Sequence, residues 1–159
     1  MATTVSERKL DRRFDPKTVR PRSAVSVRRL FVVGGSLVLL ATAVNVLLAT
    51  ALRAWLAVPT SFAPLGIPSV ASATIVGMLG AILVFGWTAR EQADPGRRFV
   101  SIAAAVLVVS WLPELFIWAT RVFPGTSTSG VLSLMTLHLV AASCAVIMLS
   151  RYGVASEPL

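Results

Sequence analysis

Charged side chains are scarce in this sequence: Asp, Glu, Lys and Arg make up 14% of its 159 residues, against about 25% in soluble globular domains. It has a single cysteine and a single histidine, which excludes a disulfide scaffold and a bis-histidine haem site. It also lacks the CxxC, GxSxG and HExxH motifs and a phosphate-binding loop, which mark thiol-redox, hydrolase, zinc-protease and nucleotide sites. We therefore expect no metal and no cofactor, and the sequence favours, without deciding, a protein that is not an enzyme.

Long apolar runs dominate what is present. The chain is 55% hydrophobic, and its mean hydropathy is +0.78. Four runs of about 20 residues each can cross a hydrocarbon core of about 30 Å as helices. Helices of a soluble bundle would each carry a polar stripe, which these runs lack. The sequence predicts an all-α polytopic membrane protein, an antiparallel bundle of four transmembrane helices at about 30–52, 70–89, 99–120 and 131–150.

The predicted organisation places a basic, disordered cytoplasmic tail at 1–29, the transmembrane domain at 30–152 and a short cytoplasmic C-terminus at 153–159. A basic juxtamembrane tail binds anionic lipid headgroups, and we expect no specific nucleic acid as its partner. A membrane-protein partner or a homo-oligomer remains open. The arginines that we expect to contact anionic lipid are Arg12, Arg13, Arg20, Arg22, Arg28 and Arg29.

The basic residues also predict the orientation. Of the 15 Lys and Arg residues, all but Arg53 and Arg121 fall on one side of the predicted topology. Segments rich in Lys and Arg near the membrane face the cytoplasm. We therefore expect a multi-pass protein of the inner (plasma) membrane with both termini in the cytoplasm.

Each predicted helix carries at least one polar residue within its apolar run. Placed by helical rise, these residues fall in one broad layer in the outer half of the bilayer. Polar groups inside a membrane are costly, so each one indicates either an interhelical contact or a functional site. The candidates for a ligand or proton site are Asn45, Thr74, Ser110, Glu114 and His138.

Glu114 is the one charged residue inside a predicted span, and it follows Pro113, which removes a backbone hydrogen bond. A carboxyl in apolar surroundings is neutral unless a cation pairs with it. His138 and Arg121 are both candidate partners on this topology. A Glu–His pair can relay a proton, hold the polar head of a ligand or join two helices, and the sequence leaves these alternatives open.

Two further patterns concern packing. Ala73, Gly77 and Ala81 recur every four residues, a spacing that predicts close approach to a neighbouring helix. The segment 53–69 is too apolar to extend into water, so we expect it to cap the outer mouth of the bundle. It is either an interfacial connector or a lid over a pocket.

Several short motifs carry a resemblance to a known family. They are Phe62-Ala63-Pro64-Leu65, Arg97-Arg98-Phe99, Ser110-Trp111-Leu112-Pro113 and Leu137-His138-Leu139-Val140-Ala141-Ala142. Over about 30–152, the chain resembles a family of uncharacterised four-span bacterial integral membrane proteins of unknown function. The resemblance implies the fold and no particular chemistry.

The sequence thus supports two functional hypotheses. The first is a small non-enzymatic membrane protein, either an accessory subunit or a binder of a small lipophilic ligand, with its polar layer in the outer half of the bundle. The alternative is a proton-coupled carrier, or a membrane enzyme acting on a lipophilic substrate, in which Glu114 and His138 exchange the proton.

Overall fold

The computed structural model of the protein describes residues 27–91 and 94–153, which fold into four long α-helices and one short 3-10 helix, without a strand. This confirms the all-α fold, and each predicted apolar run lies within one helix. The basic residues Arg12, Arg13, Arg20 and Arg22 lie outside the described residues. The helices are α1 (Val27–Trp55), α2 (Ile67–Glu91), α3 (Pro95–Thr120) and α4 (Thr128–Tyr152), with the 3-10 helix at Ala63–Leu65.

All four helices are long and apolar enough to cross a membrane. They contain 25 to 29 residues, and their most apolar windows have a mean hydropathy of 2.0 to 2.3. At most 28% of any such window is buried inside the protein, so large apolar side chains such as Phe31, Leu39 and Leu83 cover the outside. Water-soluble proteins rarely expose apolar surface on this scale.

The helices pack as a ring in chain order, but unevenly. α1 packs extensively against α2 and α4, and α3 packs extensively against α4, whereas α2 and α3 meet over a much smaller area. On α1 the buried positions recur every three or four residues, which is one face of a helix. Gly34 lies on this face, and a Cβ there would be 2.9 Å from Cδ1 of Ile82 in α2. α1 and α2 are thus closely packed, whereas α2 and α3 are the least closely packed neighbours in the ring.

Two loops meet at one end of the bundle, which we call the distal end; α1 begins and α4 ends at the proximal end. A Cβ on Gly125 would lie 2.5 Å from Oγ of Ser61, so the loops 56–66 and 121–127 touch. Phe62 is fully buried, with its ring beside Gly130 at the start of α4. Arg53 donates from Nη2 to the carbonyl oxygen of Phe62 at 2.8 Å. Of the segment 53–69, only residues 56–66 lie between α1 and α2, and they cover the distal end of the bundle.

Aromatic packing and a cap close the proximal end. The rings of Phe85 in α2 and Phe99 in α3 meet edge to face, with centroids 5.3 Å apart. Arg29 donates from Nε to the carbonyl oxygen of Tyr152 at 2.7 Å, which satisfies one of the free carbonyls at the end of α4. This bond joins the first turn of α1 to the last turn of α4.

Local sequence explains where α3 and α4 begin. The side chain of Asp94 accepts a hydrogen bond from the backbone N–H of Arg97, with Pro95 at the first helical position. The hydroxyl of Ser127 accepts one from the backbone N–H of Gly130. Both are N-caps of the kind that Asp and Ser favour. α3 continues through Pro113 to Thr120.

Candidate ligand site

The gap between α2 and α3 is a cavity of about 470 Å³. α2 and α3 form its walls, α4 forms its floor, and Asn45 is its lining residue from α1. On α2 the lining runs from Ser69 to Val84, which at the rise of an α-helix is a length of about 20 Å. The cavity is therefore a crevice that follows the helix axes, with Phe99 at its proximal end.

Gly77 and Gly80 of α2 face this cavity and not another helix. A Cβ on Gly77 or Gly80 would meet no atom within 4 Å, and both residues line the cavity. The close helix approach predicted from the spacing of Ala73, Gly77 and Ala81 is therefore wrong at Gly77. The reason is that α3 packs chiefly on α4 and does not cover this face of α2.

Asn45 ties three helices together at the distal half of the crevice. Its Nδ2 donates to Oγ1 of Thr74 in α2 at 3.0 Å and to the carbonyl oxygen of Leu137 in α4 at 3.4 Å. A backbone carbonyl can only accept, so the amide nitrogen must lie on that side. The Oδ1 atom is enclosed and has no hydrogen-bond partner among the described residues. A buried acceptor without a donor costs about 1–3 kcal/mol.

Glu114 and His138 form the second polar pair. Nδ1 of His138 lies 3.4 Å from Oε1 of Glu114 and 3.0 Å from the carbonyl oxygen of Leu134. Both neighbours are acceptors when the carboxyl is ionised, so Nδ1 carries the proton, and in a neutral ring Nε2 is then an acceptor. The other candidate partner, Arg121, donates to the carbonyl oxygen of Thr126 instead.

The two members of this pair differ in access. The Glu114 side chain is 7% exposed, while that of His138 is 38% exposed and lines the crevice. Glu114 does not line the crevice, and its Oε2 is a buried atom without a partner in the described part of the chain. A ligand in the crevice would therefore contact the imidazole, with the carboxyl behind it.

Ser110 also lines the crevice, and its hydroxyl donates to the carbonyl oxygen of Leu107 at 2.7 Å. Of the five residues predicted from the sequence, four thus line one cavity, and Glu114 contacts one of them. The structure arranges them as two separate pairs, Asn45 with Thr74 and His138 with Glu114, and Ser110 bonds within its own helix. The sequence analysis did not predict that α2 forms a wall of a cavity. The glycine spacing of α2 was the available signal for that wall.

The lining has a polar end and an apolar end. α1 and α3 run towards the distal end, and α2 and α4 run away from it. The polar side chains of the lining occur late on α1 and α3 and early on α2 and α4, so they lie in the distal half. The proximal half is lined by apolar and small residues. They include Met78, Ala81, Val84, Phe99, Ile102, Ala103, Ala141 and Ala145.

Two other kinds of site concern metal ions and anionic lipid. Within 27–91 and 94–153, no group of three or more His, Cys, Asp and Glu side chains is placed to hold a metal ion. At the proximal end Arg28 is exposed, and Arg29 is partly buried by its bond to Tyr152. Contact of these two arginines with anionic lipid stays a prediction.

These features define a multi-pass integral membrane protein. It has four apolar helices long enough to cross a membrane, large apolar side chains on its outer surface, and a crevice with one polar end. The chain belongs to the DUF6069 family, a family of unknown function whose model matches residues 21–155. This confirms the resemblance to a family without an assigned function, while the bacterial source stays a prediction. No curated protein and no solved structure matches the chain.

Proposed function

We propose that the protein is a non-enzymatic binder of a small lipophilic ligand, which occupies the crevice between α2 and α3. The observation that carries this proposal is the crevice itself, with polar groups at its distal end and apolar walls elsewhere. Its volume of about 470 Å³ falls within the roughly 300–1,000 Å³ that is typical of small-molecule sites.

The position of the crevice supports a ligand that arrives from the bilayer. Gly77, Gly80 and Val106 line the crevice and are also exposed at the surface of the bundle. In a membrane this opening faces the acyl chains, so a lipophile can enter sideways between α2 and α3 without crossing water. The distal loop, whose Pro64 also lines the crevice, lies over the polar end.

A proton-coupled carrier or a membrane enzyme is the second candidate, and the contact between Glu114 and His138 favours it. Buried ionisable residues in membrane helices commonly mark proton paths. The binder is preferred because Glu114 lies outside the crevice lining, where it holds His138 and does not meet a ligand. If the protein is an accessory subunit, the crevice would instead hold a helix of a partner protein. The experiment below distinguishes a bound lipophile from a bound partner.

We also propose that the proximal end faces the cytoplasm in the plasma membrane. Arg28, Arg29, Arg90, Arg97, Arg98 and Arg151 lie at this end of the helices. Arg53 and Arg121 are the basic residues at the distal end of the described chain. This distribution agrees with the preference of Lys and Arg for the cytoplasmic side, and it would place the basic tail on anionic headgroups.

A substitution that fills the crevice tests the binding function. Gly77→Leu places a side chain in the open space of the crevice, and Gly35→Leu makes the same change where a Cβ also meets no atom, on the outer surface of α1. Native mass spectrometry of the detergent-purified protein should find a lipophile retained by the wild type and by Gly35→Leu, and lost from Gly77→Leu.

Two results would count against this function. Equal retention by both variants would show that the lipophile lies elsewhere. Loss of a copurifying protein from Gly77→Leu, with no lipophile bound to the wild type, would support an accessory subunit instead.

A further inference from the structure

The polar end of the crevice specifies the head of the ligand. We infer that the crevice selects a lipophile that carries a hydroxyl head, over one whose head can only accept hydrogen bonds. This inference rests on the proposed function and deepens it, because it names the chemical class of the ligand. It depends on three side chains, Asn45, Thr74 and His138.

Asn45 offers an acceptor and no donor. Both hydrogens of its amide nitrogen are engaged, by Thr74 and by the carbonyl of Leu137, whereas Oδ1 has no partner among the described residues. This oxygen is enclosed, with almost no exposed surface, so only a small donor can reach it after a slight shift of the side chain. A hydroxyl meets this condition, and an ionised phosphate, which carries no donor, does not.

Thr74 offers the complementary donor. Its Oγ1 accepts the hydrogen bond from Asn45, and a hydroxyl that accepts through its oxygen still has its own hydrogen to donate. Thr74 lines the crevice, as Asn45 does. A ligand group that accepts from Thr74 and donates to Asn45 would complete both residues, and a hydroxyl is the smallest group that does both.

Of these three side chains, His138 is the most exposed. Asn45 bonds the carbonyl of Leu137, the residue directly before His138, so the imidazole lies at the level of the Asn45–Thr74 pair. Since Nδ1 faces Glu114 and Leu134, Nε2 is the nitrogen left for a ligand. A hydroxyl can donate to Nε2 of a neutral ring or accept from Nε2–H of a charged ring.

The rest of the crevice defines the remainder of the ligand. It continues for most of its length of about 20 Å between the apolar walls of α2 and α3, and it ends near Phe99. A long, slender hydrocarbon such as an acyl or isoprenoid chain fits this shape. The class is therefore a long-chain alcohol, with its hydroxyl at the distal end.

The test compares hexadecanol with its methyl ether, which has the same chain and an oxygen that only accepts. Binding of each probe to the full-length, delipidated protein in nanodiscs is measured by competition in native mass spectrometry. We expect the alcohol to bind about tenfold more tightly than the ether, since one or two hydrogen bonds separate them.

Two variants locate the preference. Thr74→Val removes one hydroxyl with little change of shape, and His138→Phe removes the ring nitrogens. His138→Phe should lower the ratio of alcohol to ether affinity several-fold, because the ring nitrogen accepts from the hydroxyl and the ether has no hydrogen to give. Thr74→Val should weaken both probes alike, because the oxygen of either probe can accept from Thr74. Thr136→Val is the matched control, because Thr136 is exposed on α4 and bonds the carbonyl of Leu132 in its own helix; it should leave the ratio unchanged.

The outcomes separate this inference from the function on which it rests. Equal binding of alcohol and ether by the wild type overturns the hydroxyl selection while the lipophile site stands. Absence of binding by either probe, together with no retained lipophile, overturns both. If His138→Phe unfolds, the wild-type ratio of alcohol to ether affinity still decides the question.

Discussion

Nδ1 of His138 lies 3.4 Å from Oε1 of Glu114 across the interface between α4 and α3. This contact joins two helices that already pack extensively, and it fixes the side of the imidazole that faces away from the crevice. The contact is thus both an interhelical link and a positioning device. Its two roles can be measured separately, as energetic coupling and as ligand binding.

We predict that Glu114 and His138 are energetically coupled by about 1 kcal/mol, the size of an interhelical hydrogen bond in a membrane protein. His138→Leu leaves the buried Glu114 carboxyl without its partner, and the double variant removes that carboxyl as well, so Glu114→Leu combined with His138→Leu should be less destabilised than the sum of the two single variants. Reversible unfolding in mixed micelles measures the cycle.

A matched cycle supplies the control for this coupling. Ser143 is also on α4, but its hydroxyl donates to the carbonyl of Leu139 in the same helix. Ser143→Ala combined with Glu114→Leu should therefore be additive. Additivity for the Glu114–His138 pair itself would mean that the observed contact contributes nothing to the stability of the bundle.

At Asn45 we predict that Asp is worse than Leu. Asn45→Leu removes the bonds to Thr74 and Leu137 and should cost about 1–2 kcal/mol. Asn45→Asp keeps the size, but a neutral carboxyl has one donor where the amide has two, and an ionised carboxylate has none and repels the carbonyl of Leu137. Either form also buries a polar group that Leu does not. Thermal unfolding should therefore rank wild type above Leu and Leu above Asp, and Asp equal to wild type would contradict the assigned hydrogen bonds.

Much of this arrangement follows from sequence, and the reasons for the remainder are physical. Helical rise places Asn45, Thr74, Ser110 and His138 at one depth because the period of a membrane helix is regular. The packing of α3 on α2 and on α4 decides which face of α2 is covered. This packing is a tertiary property that a single helix sequence does not contain. The same glycine spacing fits a packed helix or an open crevice, so Gly77 was assigned to the wrong surroundings. The choice between His138 and Arg121 as the partner of Glu114 also required the loop conformation that holds Arg121 on Thr126.

The distal loops yield a third prediction. Gly125 has a φ of +73°, and a Cβ there would meet Oγ of Ser61 at 2.5 Å and Cβ of Pro59 at 3.1 Å. Gly125→Ala should destabilise the protein by about 1–2 kcal/mol from the left-handed backbone alone, and more if the loops must separate. Gly96→Ala is the control, since its Cβ would meet only an ordinary contact of 3.9 Å with Oδ1 of Asp94. Equal melting temperatures for the two variants would contradict the contact between the loops.

The orientation gives the last prediction. In a Cys144→Ala background, which removes the single cysteine of the chain, Thr60→Cys places a thiol in the exposed distal loop and Glu91→Cys places one at the exposed proximal end of α2. Because the basic residues gather at the proximal end, a membrane-impermeant maleimide added to intact cells should label Thr60→Cys and leave Glu91→Cys unlabelled until the membrane is opened. Labelling of Glu91→Cys alone would invert the topology and place the polar end of the crevice in the cytoplasmic half of the bilayer. The proposed ligand would then enter the crevice from the opposite leaflet.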